Sequence, residues 1–112
     1  MKEIKAVIGP QRLEALRDAL RSLPGFPGMT VSRAEGYAAP VPHVGPARHS
    51  IKEELTDHVS RLRVEIIASD ELAPAVFDCV VKSVSAGSPG DSIVWMCEVA
   101  RSVFVHKTVG AP

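Results

Sequence analysis

Residues 38–60 read Ala-Ala-Pro-Val-Pro-His-Val-Gly-Pro-Ala-Arg-His-Ser-Ile-Lys-Glu-Glu-Leu-Thr-Asp-His-Val-Ser. The stretch holds three of the nine prolines and three of the four histidines. A strand-like run stands on each side of it. Connections in compact domains are usually a handful of residues, and structureless loops beyond about 12–15 residues are mostly functional or disordered. Read as a long flexible loop, it divides the chain into two halves, and each half then reads strand, helix, strand.

The first half opens on residues 2–9, where Ile4, Ala6 and Ile8 face one way and Glu3, Lys5 and Val7 the other. That is the period-two pattern of a strand. Gly9-Pro10 ends it, and the fixed φ of Pro10 suits a first helical turn. Leu13, Leu16, Leu20 and Leu23 then recur at helical spacing, and Pro24-Gly25 stops the helix near Leu23. Residues 29–37 form the second strand. Its one face is Met29, Val31, Arg33, Glu35 and Tyr37; the other, Thr30, Ser32, Ala34 and Gly36, is small enough for a backbone or flat ligand to approach.

The second half repeats the order. Residues 61–69 alternate with Leu62, Val64, Ile66 and Ala68 inward and Arg63, Glu65 and Ile67 outward. Ser69 or Asp70 caps a helix whose buried stripe is Leu72, Val76, Val80 and Val84, widened by Phe77. A glycine-bearing turn follows at residues 86–92. Residues 93–100 make a fourth strand, apolar on nearly both faces, and residues 103–108 a short last one. The order strand, helix, strand, loop, strand, helix, strand is the split βαβ, or ferredoxin-like, arrangement of an α+β protein. The whole chain of 112 residues is one domain.

In such a fold the helices cover one sheet face only. The other carries Val7, Ile67 and one side of the fourth strand, and monomers seldom expose large apolar patches. An oligomer that packs this second face is expected.

Thirteen basic and thirteen acidic side chains give a formal charge of zero. This is no electrostatic footprint for nucleic acid. Apolar runs fall far short of the roughly 20 residues that span a bilayer, so no membrane insertion is expected. No secretory signal opens the chain, and the expected location is cytoplasmic. Cys79 and Cys97 sit in apolar stretches and read as buried thiols rather than a disulfide.

No nucleophile elbow or P-loop is present, and the chain is expected not to be an enzyme. His43, His49 and His58 share the loop with Glu53, Glu54 and Asp57. Were residues 51–59 helical, His49 with Glu53 and Glu54 with His58 would be i, i+4 pairs able to present metal ligands. No tight histidine or cysteine cluster accompanies them, and solvated loop histidines are the plainer reading. In residues 86–92, successive backbone N–H groups can form an anion nest, with Asp91 accepting bonds from backbone or a ribose. An ordinary helix-to-strand turn uses the same residues.

Several segments in order resemble the P-II (PII-type) signal-transduction family. These are Met1-Lys2-x-Ile4-x-Ala6-Val7-Ile8 before Pro10, Leu13 to Leu20 with Arg17 and Ala19, and Gly28-Met29-Thr30-Val31 before Gly36-Tyr37. Arg63-Val64-Glu65-Ile66-Ile67, Asp70-Glu71-Leu72 and Gly90-Asp91 with Ile93 complete the series. The resemblance covers nearly the whole chain. It implies a homotrimer that binds an adenine nucleotide (ATP, ADP or AMP) in clefts between subunits, often with 2-oxoglutarate sensing. It also implies that residues 38–60 act as an effector loop on a target protein, a membrane transporter or a metabolic enzyme.

By matching positions, the implied cleft takes Val7, Thr30, Gly36, Tyr37, Glu65, Ile67, Gly87, Ser88, Pro89, Gly90, Asp91 and Ser92, with His106, Lys107 and Arg61 left to meet phosphate. The resemblance thins at the phosphate end. Ala39 and Pro40 stand where the family has Arg and Gln, Ser92-Ile93 follows Asp91 where a Gly and a Lys are usual, and Phe104 and His106 replace two arginines. Tyr37 is the only tyrosine, so the family's uridylylation switch has no residue in the loop. The chain reads as a divergent P-II-like member. Two alternatives stand beside this: a metal or anion sensor using His43, His49 and His58, and an adaptor with empty clefts.

Overall fold

The computed structural model describes residues 1–37, 58–85 and 92–105. β1 (Lys2–Ile8) leads through a 3-10 turn (Pro10–Arg12) into α1 (Leu13–Arg21); β2 is Thr30–Tyr37, β3 His58–Ala68, α2 Ala73–Val84 and β4 Ile93–Glu98. The strands form one sheet in the order β2-β3-β1-β4, every neighbouring pair antiparallel. This is the ferredoxin-like α+β arrangement expected from the element order.

Alternation decides the layers. Ile4, Ala6 and Ile8 of β1 lie opposite Ile66, Val64 and Leu62 of β3, and all but the half-buried Leu62 are buried. Leu16 and Leu20 of α1 and Ala73, Val76, Val80 and Val84 of α2 close over them. Leu13, Leu23, Leu72 and Phe77 sit half-buried at the margins. α1 begins after a 3-10 turn because Pro10 fixes φ directly behind the extended Gly9, and Arg12 N–H bonds the Gly9 carbonyl at 3.0 Å. The helix closes at Arg21, and the Ser22 and Leu23 N–H groups bond back to Ala19 and Leu20.

The two candidates for capping α2 divide the work. Ser69 Oγ accepts from Leu72 N–H at 3.2 Å, which holds the turn entering the helix. Asp70 instead accepts from the Met1 ammonium at 2.8 Å. That bond, then the charge of the same ammonium, holds the Asp70 carboxyl below the usual carboxylate range. Lys2 and Glu98, a cross-strand pair of β1 and β4, add an ion pair beside it.

Five sequence expectations are corrected. β3 begins at His58, three residues before the expected start, because residues 58–60 continue the ladder against Tyr37, Gly36 and Glu35. The loop reading therefore ends at residue 57, and a helix over residues 51–59 does not hold at its end; residues 38–57 lie outside those described. β4 stops at Glu98, where Val99 N–H turns to the Met1 carbonyl at 3.1 Å. Residues 103–105 alternate in sequence yet are not in strand conformation, so a fifth strand does not start there; residues 106–108 lie outside those described.

Both cysteines are free thiols, as expected, but Cys97 is exposed and Cys79 only half-buried. Cys97 falls on the sheet face that the helices leave bare.

Truncating the centre of the buried layer, Ile66→Ala, is expected to lower stability by about 2–5 kcal/mol, read from the urea midpoint. Asp70 makes a sharper test. Its lowered pKa adds stability at pH values above the unfolded pKa, and this is lost as pH falls through the folded value. Asp70→Asn should therefore melt below the wild type at pH 7 and converge with it as pH falls through the folded value.

Candidate functional site

The sheet face turned away from the helices carries most of the candidate residues that are described: Val7, Thr30, Gly36, Glu65 and Ile67. Register arranges it in rows across the strands: Thr30, Glu65, Lys5 and Trp95 in one, Ser32, Arg63, Val7 and Ile93 in the next. Ile67, Glu3 and Cys97 make a third. The apolar part is concentrated toward β4, where Ile93 is 58% exposed. Toward β2 the face is charged, with Arg61, Arg63 and Glu65 on β3, so this surface is more mixed than its apolar residues alone implied.

A cavity of about 380 Å³ opens at one end of this face, lined by Glu3, Pro27, Gly28, Met29, Thr30, Glu65, Ile67 and Phe104. Its size falls in the range of about 300–1,000 Å³ usual for small-ligand pockets. Gly28, at φ +104, turns the chain into β2 in a conformation that side chains rarely adopt. The cavity has two carboxylates, Glu3 and Glu65; Glu3 Oε1 lies 3.5 Å from Lys5 Nζ. Three of the residues named from sequence, Thr30, Glu65 and Ile67, thus share one pocket. Phe104 was not among them.

The others lie elsewhere. Val7 is half-buried in the next row, opposite Arg63 and Ile93. Ser92 is half-buried just ahead of β4. Gly36 stands opposite Val59, six residues beyond Thr30 on the same strand, or about 20 Å at the usual strand rise. It sits on a two-stranded ribbon: β1 ends at Ile8, opposite Leu62, while residues 34–37 of β2 and 58–61 of β3 pair onward without it.

Tyr37 alternates onto the opposite face from Gly36 and is 73% exposed. Gly87, Ser88, Pro89, Gly90, Asp91, His106 and Lys107 lie outside the described residues, as do His43 and His49. His58 is a β3 residue paired with Tyr37.

The close approach expected at the small-residue face of β2 is made at Gly36 by the protein itself. A Cβ there would stand 3.0 Å from Arg61 Cγ and 3.7 Å from the Val59 carbonyl oxygen. The Arg61 stem therefore crosses the ribbon over Gly36, and its Nη1 donates to the Ser60 carbonyl at 3.2 Å. A second, larger cavity of about 820 Å³ runs beside β2 between Pro10, Leu13, Val31, Arg33 and Leu62.

Among the described residues no group of three or more His, Cys, Asp or Glu could hold a metal ion, and no helix is long and apolar enough to cross a membrane.

Comparison with known proteins covers the same span. The family model for nitrogen regulatory protein P-II matches residues 1–108. The chain is 29% identical over 106 residues to the nitrogen regulatory protein P-II of Klebsiella oxytoca, covering 95% of this chain and 92% of that one. It is similar to the same extent to nitrogen regulatory protein P-II 1 of Escherichia coli strain K12. Against the nitrogen regulatory protein P-II of Rhizobium meliloti strain 1021 the identity is 30%, with the same coverage.

A branched residue at position 36 collides with the Arg61 stem. Gly36→Val is expected to destabilise the protein, and Arg61→Ala in the same chain should recover part of the loss. Such neighbouring pairs couple by about 0.5–3 kcal/mol in a double-mutant cycle; strict additivity of the two urea-unfolding energies would contradict this packing.

Proposed function

This chain belongs to the nitrogen regulatory protein P-II family of signal-transduction proteins, and from that premise we propose that it works as a homotrimeric, non-enzymatic sensor in the cytoplasm. An adenine nucleotide (ADP, AMP or ATP) binds between subunits and sets the state of residues 38–60, which act on a target protein, a transporter or a metabolic enzyme.

The observation that carries this reading is the separation of the candidate residues on one protomer. Thr30, Glu65 and Ile67 line a pocket, while Gly36 stands six residues farther along the same strand. A small ligand reaching both kinds of residue takes one from each of two subunits. Packing of the bare sheet face, with Val7, Ile67, Ile93 and Trp95, supplies the reason for subunits to associate, since burying such a side chain is worth roughly 1.5–3 kcal/mol.

Charge orients the ligand. Glu3 and Glu65 in the pocket disfavour phosphate there and suit the amino and hydroxyl donors of a base and ribose. Phosphates then point toward the neighbouring subunit's Gly36 and Arg61. Ligand binding moves the loop only through a difference in affinity between its two states.

Calorimetry with ATP, ADP and AMP, run beside light scattering, tests the reading. The expected result is a mass of three chains and saturable binding of at least one nucleotide. Flat titrations for all three at millimolar ligand would overturn the nucleotide, and a monomer that nonetheless binds would overturn the shared cleft.

A further inference from the structure

Phe104 is the one aromatic residue in the lining of the 380 Å³ pocket given above among the described residues, where it joins Thr30, Glu65 and Ile67. It arrives from an unexpected direction. β4 lies at one edge of the sheet and β2 at the other, yet the segment that leaves β4 brings residue 104 to the β2 end. Val99 N–H ties the start of that segment to the Met1 carbonyl. Val103 and Val105 are 69% and 66% exposed, whereas Phe104 between them is half-buried. A segment outside the four strands thus places one half-buried aromatic residue, between two exposed valines, at an open cavity that also holds carboxylates.

Resting on the nucleotide reading, we propose that Phe104 is a specificity-determining residue that stacks on the base, with the Glu65 carboxylate accepting from the base's amino group. An aromatic side chain beside a pocket of this size suits a flat heterocycle, and stacking of a base on an aromatic side chain tolerates any chemistry at the far end of the ligand. The base then contributes affinity at a distance from the phosphates. The penalty for losing the ring is the same for adenosine, AMP, ADP and ATP.

Two measurements on the full chain test this. In the wild type, the adenine H2 and H8 resonances of bound AMP should move upfield through the ring current of Phe104. Phe104→Leu should abolish that shift and weaken all four ligands by a common factor, roughly tenfold on the usual strength of base–aromatic stacking. Phe104→Trp should retain both shift and affinity. Thermal melts of each variant establish that it is folded, and the wild-type resonances need no variant at all.

Adenine protons unshifted in bound wild type, a leucine variant of full affinity, or a loss that grows with the number of phosphates would each overturn the proposal while leaving nucleotide binding intact. A wild type that binds none of the four ligands removes the nucleotide reading itself, and the role of Phe104 with it.

Discussion

Burial of one face of the four-stranded sheet under α1 and α2 is the constraint from which everything else in the molecule follows. Side chains on a strand alternate strictly, so placing Ile4, Ala6, Ile8, Val64, Ile66 and Ala68 beneath Leu16, Leu20, Val76 and Val80 sends Glu3, Lys5, Val7, Glu65 and Ile67 to the other side. A slip of one residue would exchange the two sets. It would expose the core and bury four charges, Glu3, Lys5, Arg63 and Glu65, each costly without partners. Glu3, Glu65 and Ile67 of the pocket are therefore held in register by a core on the opposite face of the sheet.

The same sheet explains why the candidate residues separate. β2 and β3 outrun β1, and past Ile8 they form a ribbon with no third strand beside it. Its helix-side residues Arg33, Glu35 and Tyr37 are exposed. Polar and small residues tolerate that position, and Gly36 additionally leaves room for the Arg61 stem. At the opposite end, Gly28 turns the chain into β2 and Phe104 closes one wall of a pocket. One strand thus serves two ends of the molecule.

The strongest sequence patterns were the periodic ones. Alternation in β1 and β3 and the leucine and valine spacings of α1 and α2 gave the elements, their inward faces and the ferredoxin-like order. Burial imposes that periodicity on the sequence, which is why it reads so clearly. Where burial does not act, the pattern misled. His58 to Ser60 looked like loop because histidine and serine carry no strand signature, yet the ladder from Glu35 to Tyr37 draws them into β3. Residues 103–105 alternate like a strand but lie outside the four strands described, and Phe104 lines a pocket. Cys97 looked buried among apolar neighbours, but β4 presents it on the uncovered face.

The sequence by itself determined which residues form the core, which face of each strand they occupy, and the P-II character of the chain, because these rest on local spacing and on short runs of residues. Only the tertiary structure decided which candidates share a pocket. Thr30, the β3 pair Glu65 and Ile67, and Phe104 come from three places in the chain and meet through strand register and the crossing of the last segment. Gly36, close to Thr30 in sequence, is carried away from it by the extended backbone between them. An extended strand separates near neighbours by about 3.3 Å per residue, while a sheet brings distant ones side by side, so proximity in the site was not written in the order of the residues.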